Sequence, residues 1–410
     1  MWSIRWCRGA LSAILVLALH AGALAQDGNG DAVRPALGRP LSAAQQLLKE
    51  QKFAEALDRL KEADAVGDKT GYESFVVEHM RGMAAAGVGD TATAATSFEA
   101  VLASGKLPPA ERLPILQSMT AMFYKAKDYP KTVQWAKRYV QEGGTNAQIR
   151  AVLGQALYLS NDFAGAALEL SAQVQAEEAS GRKPTQEQLQ LLASSYLRAK
   201  DDAGYATALE KLVTWYPSKE SWADLVDRTQ RKPGFSDKLA LDGFRLQRAT
   251  AGLHEAAEFM EMAQLSMEAG YPSEARAVLD DGYKAGTLGK GSDVARQNAL
   301  RDKANQAAVA DARLLAQQSA GTIKDSNGLA TTGLALVFSG QADAGIAMMK
   351  EALSKGGLRQ TEETRLRLGM ACVMAGRKEE ALATLKAVQG SNGTSDLARL
   401  WALHARDTVQ

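Results

Sequence analysis

Residues 153–167 read LGQALYLSNDFAGAA, and residues 368–382 read LGMACVMAGRKEEAL. Each opens on Leu-Gly and carries an alanine thirteen residues on, Ala166 and Ala381, with polar residues between. On either side of that polar break the apolar residues fall at helical spacing, which buries one face of a helix. Each stretch therefore reads as the inner half of a helix–turn–helix. Because it occurs twice, more than two hundred residues apart, the whole chain has to be searched for a repeat.

The position that opens the second helix recurs at Ala56, Ala94, Thr132, Ala166, Tyr205, Ala275, Gly345 and Ala381, in steps of 38, 38, 34, 39, 70, 70 and 36. Each step of 70 is two steps of 35, and the skipped positions, Ala240 and Ala310, lie in SDKLALDGFRL and AAVADARLLAQQ. Ten units fit. With this position numbered 20, position 8 is Gly82, Gly154, Gly333 and Gly369, or the small Ala193 and Ala263. Position 24 is large and apolar: Leu60, Phe98, Leu170, Leu209, Leu279, Met349 and Leu385. A small residue lets two helices approach, and a large one beside it fills the gap. Gly89-Asp90, Lys127-Asp128, Asn161-Asp162, Gly270-Tyr271, Gly340-Gln341 and Gly376-Arg377 supply helix stops between the two helices. Pro130 and Pro272 open second helices, where a missing N–H costs least.

Leu153-Gly154, Leu368-Gly369, Phe123, Tyr196, Ala56, Ala166, Phe98, Ala352 and Pro217 fill the marked positions of a known pattern. It resembles the tetratricopeptide repeat (TPR), over nearly all of the chain after its first 40 residues. The resemblance implies an all-α, right-handed superhelical solenoid of about ten helix pairs. Thr132 and Tyr205 depart from the usual small residue, so their helix contacts are expected to be looser or rotated. Units six and eight are weak, and residues 294–318 fit one long helix as well as a pair. TSDLARLWALHAR (394–406) puts Leu397, Leu400, Trp401 and Leu403 on one face of a closing helix, as the exposed end of an array needs.

The first residues read as an address. Arg5 and Arg8 precede an apolar run from Ala10 to Ala25 that ends in Ala-Leu-Ala, the form of a secretory signal cleaved before Gln26. The run is short of the ~20 apolar residues a span requires. Gln26 is not the cysteine a lipid anchor uses. The expected layout is a signal peptide (1–25), a flexible leader (26–40), five units (41–217), five more of which two are degenerate (218–390), and a capping helix with tail (391–410). A bacterial periplasm is the expected compartment. Removing the signal takes Arg5 and Arg8 away and moves the formal charge from +1 to −1, which argues against a nucleic-acid partner. One cysteine, Cys372, then remains, so no intramolecular disulfide forms.

No catalytic or metal constellation is visible. His79, His254 and His404 have no metal-ligand spacing, and no H-E-x-x-H, C-x-x-C, G-x-S-x-G or phosphate loop occurs. Cys372 reads as a packed thiol. Neither an enzyme activity nor a cofactor is expected.

The TPR resemblance places positions 2, 5, 9, 12 and 13 on the groove face. In the third to fifth units these are Tyr124, Lys125, Gln148, Gln155, Tyr158, Gln190, Ser194 and Arg198. Tyr124 and Tyr158 share position 12, an aromatic ladder beside amides and cations that suits an extended peptide. Later units present Met260, Gln264, Met267, Leu334, Val337, Phe338, Leu366, Met370 and Met374, either as a methionine-rich binding face or as core. The function implied is a non-catalytic, protein-binding scaffold in the cell envelope. Residues 181–288 are similar to periplasmic TPR proteins found beside TonB-type energy-coupling systems, which implies contact with that inner-membrane machinery. The alternatives are an envelope-assembly or cell-wall glycan-binding factor, and a non-catalytic subunit of an enzyme complex.

Overall fold

A computed structural model describes residues 32–318 and 323–407; the expected signal peptide (1–25) and residues 26–31 of the expected leader lie outside them. The described residues form α-helices and one 3-10 turn, with no strand. The chain divides into two compact units. One runs up to Arg182 and includes Ser194–Lys200; the other holds Lys183–Ala193 and Asp201–Gln410. Their junction therefore lies earlier than the 217/218 boundary expected from repeat counting. The reason is local: the Tyr216 hydroxyl donates to the Pro184 carbonyl at 2.9 Å, and Lys183 Nζ sits 3.9 Å from the Tyr216 ring centre.

The first unit contains α1 (Pro35–Lys49), α2 (Phe53–Asp64), α3 (Gly71–Val88), α4 (Thr91–Ala103), α5 (Pro109–Lys125), α6 (Tyr129–Gln141), α7 (Ala147–Leu159) and α8 (Phe163–Ala179). Each helix packs on the next, so the pairs stack in chain order. Within a pair the reversal is tight. Lys127 and Asn161 take left-handed backbone (φ 61° and 63°), and the following Asp128 and Asp162 cap the next helix through its third N–H. The leader is shorter than expected. Pro35 starts α1, and Leu37 and Leu41 are fully buried, so residues 35–40 belong to the fold. Arg34, just before it, is tied to Glu73 on α3 by paired 2.9 Å contacts.

Helix α9 (Gln186–Arg198) leads into the second unit: α10 (Asp202–Trp215), α11 (Lys219–Gln230), the 3-10 turn Asp237–Leu239, α12 (Ala240–Thr250), α13 (Ala256–Glu268), α14 (Pro272–Lys284), α15 (Val294–Leu315), α16 (Ser326–Phe338), α17 (Ala342–Lys355), α18 (Thr361–Met374), α19 (Lys378–Lys386) and α20 (Thr394–Asp407). The expected ten pairs are nine among the described residues, because residues 294–315 form one 22-residue helix. Ala310 is exposed on it, while Ala304 and Ala308 are buried, so Ala310 opens no second helix. In the sixth pair the close approach is made by Gly243, where a Cβ would stand 2.7 Å from the Gln230 side chain. Ala240 only starts the helix.

Elsewhere the position 8 and position 24 geometry is realised. A Cβ on Gly82 would meet the Phe98 ring at 2.7 Å, one on Gly154 would meet Leu170 at 2.9 Å, and one on Gly369 would meet Leu385 at 2.5 Å. The α16–α17 pair is tighter still. Gly333 and Gly345 face each other, and a Cβ on Gly345 would stand 2.3 Å from the Gly333 carbonyl oxygen. Position 20 is fully buried at Ala56, Ala94, Thr132, Ala166, Ala275 and Ala381. Thr132 fits by donating its hydroxyl to the Asp128 carbonyl. Tyr205 is rotated out toward α11, where its hydroxyl donates to Asp224 at 2.6 Å. Burial and that carboxylate push the phenol up to about 12.

The last helix does more than cap. Leu397, Leu400 and Trp401 of α20 are buried, and α20 packs on α18 and α19 as expected. It also packs on α10 and α12. His404 meets the Trp222 ring edge-on at 6.1 Å, Lys232 pairs with Asp396 at 2.9 Å, and Arg399 pairs with Glu210. Gly393 (φ +98°) lies where any side chain would strike Phe235, and the Asn392 carbonyl accepts from the Ser236 N–H. The second unit thus closes on itself.

Candidate functional site

The residues expected to face the groove separate into two groups. In the first unit the ladder is real, but its hydroxyls are already used. Tyr124 on α5 donates to Gln155 Oε1 on α7 at 2.7 Å. One repeat on, the hydroxyl of Tyr158 on α7 lies 2.8 Å from Ser194 Oγ on α9. Both are position 12 to position 9 contacts between first helices. The rings repeat as well: Tyr124 packs edge-on against Tyr129 at 6.1 Å, and Tyr158 against Phe163 at 5.3 Å. The Arg198 guanidinium lies 4.7 Å from the Phe163 ring centre, a cation–π distance. Burial raises the Tyr124 phenol above its ordinary value, with Tyr129 adding to the effect, so it stays a neutral donor.

This arrangement makes a rim of half-buried aromatic rings with polar groups beside them. Lys125, Gln148 and Arg198 are exposed, and Gln155 and Ser194 are half-buried. Gln190 is exposed but belongs to the other unit. Rings fixed at both ends offer contact area without the entropy loss of a free side chain. Lys125 and Gln148 are exposed beside this rim.

In the second unit most of the later set is core. Met260, Leu334, Val337, Leu366 and Met370 are buried, so Met370 cannot belong to a binding face. Helix α18, which carries Met370 and Leu366, is packed on by α16, α17, α19 and α20. Met267 and Phe338 are half-buried, and Met374, 53% exposed, is left at the surface. Cys372 is fully buried, and burial together with Glu380 pushes its thiol up to about 12. It is unreactive in that state.

One cluster has no counterpart among the expected residues. Arg245 on α12 forks onto Glu274 on α14 through Nε and Nη2 at 2.8 and 2.7 Å, and its Nη1 donates to Asp242 at 2.7 Å. Arg367 on α18 donates to the same Asp242 through Nη2 at 2.9 Å. Asp242, Arg245 and Glu274 are each at most 5% exposed. The Arg245 guanidinium also lies beside both the Tyr271 and Phe338 rings, 5.2 and 5.0 Å from their centres, and the two rings meet edge-on at 5.5 Å. Burial alone would raise the Asp242 carboxyl, but the charges of Arg367 and Arg245 outweigh it and hold it below its usual range. Two cations and two anions cancel, which is what makes burying Asp242, Arg245 and Glu274 tolerable, with Arg367 at 22% exposure on the edge of the cluster. The only sequence signal was Asp242 and Arg245 at i and i+3 in a stretch otherwise suited to the core. Among the described residues, no group of three or more histidine, cysteine or acidic side chains is placed to hold a metal, and no helix is long and apolar enough to cross a membrane.

No family model and no curated protein matches the chain. Among solved structures it is similar to the TPR2AB domain of yeast Sti1 in a pHSP90 complex: 13% identity, 72% of this chain and 99% of that one covered, TM-score 0.24. It is also similar to yeast Tom70 (10% identity, 91% and 96% covered, TM-score 0.23) and to the maize pentatricopeptide repeat protein PPR10 (12% identity, 90% and 62% covered, TM-score 0.28). Likeness at these TM-scores assigns no function, which is read instead from the chain's own residues.

Proposed function

We propose that the chain is a non-catalytic scaffold whose first unit binds an extended segment of another protein across the rim formed by Tyr124, Tyr158 and Phe163. The observation that carries this reading is the repeated strut, Tyr124 to Gln155 and Tyr158 to Ser194. It places two rigid aromatic edges in register on neighbouring repeats. Exposed Lys125, Gln148 and Arg198 flank them, and such rigid rings beside adaptable polar groups are what peptide-binding surfaces use.

The leader ending before Gln26 supports export, and the likeness of residues 181–288 to periplasmic TPR proteins supports a partner in TonB-type inner-membrane machinery. Photo-crosslinking residues installed at Lys125 and Gln148 should capture one discrete partner from envelope extract. The same residue at Lys137, exposed on α6 and off the rim, should not. Equal capture at all three positions would remove the rim as the site. A cytoplasmic location by cell fractionation would remove the envelope role while leaving the rim intact.

A further inference from the structure

The second unit holds a cleft of about 670 Å³, open to solvent on one side, within the range of small-molecule sites. Its wall is drawn from α16, the start of α18, the turn before α12 and the loop before α20. Three cations line it: Lys238, Arg359 and Arg367. Among the described residues, neither Lys238 nor Arg359 makes a salt bridge; the charge of Arg359 reaches only as far as helping to lower the Asp325 carboxyl, which is held chiefly by the Gly328 N–H and Asn327. Arg367 spends Nε and Nη2 on Asp242 and keeps Nη1 uncommitted. Glu363 is the one acid among the lining residues, and it accepts from Asn392 at 3.2 Å. Ser236 and Thr331 add hydroxyls.

The geometry points to a binding site for a small multivalent oxyanion, carrying carboxylates or phosphates and held by Lys238, Arg359 and Arg367. Arg367 is the anchor, because the buried Asp242 fixes its guanidinium before any ligand arrives, and guanidinium groups match planar oxyanions. Lys238 and Arg359 approach from different segments, so an anion bridging them links the turn before α12 to the start of α18. This inference is independent of the peptide-binding rim, whose residues lie in the first unit.

The test is calorimetric titration of the full chain at low salt with citrate and, separately, inorganic pyrophosphate. At least one should bind with a Kd below about 1 mM, and should raise the melting temperature as a ligand of the native state must. The double variant Lys238→Glu, Arg359→Glu should weaken it about tenfold or more, whereas Lys284→Glu, exposed on α14 and outside the cleft, should leave it unchanged. Both reversed residues are exposed, so an unaltered melting temperature without ligand confirms that the variant folds. Tighter pyrophosphate binding marks a phosphate-bearing ligand, and tighter citrate binding a carboxylate. Failure of both ions to bind with a Kd below about 1 mM, or equal weakening by Lys284→Glu, overturns the site.

Discussion

The first and second units hold their helices together by different means. In the first, each helix touches chiefly its chain neighbours, and the contacts are small residues under large ones with polar struts along one edge. In the second, α20 returns to α10 and α12, and a neutral quartet of charges joins α12, α14 and α18 across 125 residues of sequence. Neighbour-only packing leaves a face free for a partner. Self-closure consumes such a face, and the second unit carries an open cleft instead.

The largest expected effect tests the closure. Asp242→Ala leaves Arg245 and Arg367 with one anion between them in a buried site. That should cost the second unit about 3–5 kcal/mol in urea unfolding, the cost of breaking a buried ion pair from one side. Because the two units need not unfold together, the loss should appear in only one transition. A loss shared equally between two transitions would show that the closure is not confined to the second unit.

Gly333→Leu and Gly154→Leu compare the packing directly. At Gly154 the obstacle is the end of the Leu170 side chain, which can rotate, so overpacking should cost about 1–3 kcal/mol. At Gly333 the obstacle is the Gly345 carbonyl, part of a helix backbone that cannot yield, and the cost should exceed the Gly154 value. Equal losses by chemical denaturation would mean that the α16–α17 pair can separate without harm.

These differences track what the sequence revealed. A contact between adjacent repeats recurs at a fixed interval, so Gly82, Gly154, Gly333 and Gly369 could be picked out with their partners sixteen residues on. The turns were legible for the same reason. The quartet was not, because Arg367 on α18 meets Asp242 on α12 only after the five helices between them have been placed, and no periodicity encodes that meeting. The same blindness sent Met370 to a binding face: its spacing is that of a groove residue, but it lies on a helix packed by α16, α17, α19 and α20 and is 1% exposed. Residues 294–315 read as a helix or a pair because the weak apolar pattern of that stretch fixes no turn. The ladder positions were legible, but their hydroxyl partners were not, since a Tyr at one register position says nothing of the residue facing it.

A smaller effect concerns the start of the first unit. Arg34 hydrogen bonds, outweighing burial, hold the Glu73 carboxyl at about 2, below its ordinary 4.5. A carboxyl depressed in the native state stabilises it fully above its unfolded value. That stabilisation is lost as pH falls from about 4.5 to about 2. Glu73→Gln should therefore narrow its melting-temperature deficit against the unmodified chain across that window and keep it constant above it. Parallel curves throughout would detach Glu73 from acid unfolding.

The smallest effect tests whether the rim is built for support or for binding. Tyr158→Phe and Tyr124→Phe each remove one hydroxyl contact and keep the ring packed on Phe163 or Tyr129. Each should cost about 0.5–1.5 kcal/mol, the net worth of an ordinary hydrogen bond. If the struts only set the register of rings that a partner then covers, partner affinity should fall little in either variant, because the ring face survives. Tyr158→Ala, which deletes the ring as well, should then lose affinity far beyond its loss of stability. Were Phe and Ala to lower affinity equally, the hydroxyl and not the ring would be the group that matters, and the rim would be a polar contact line and not an aromatic one.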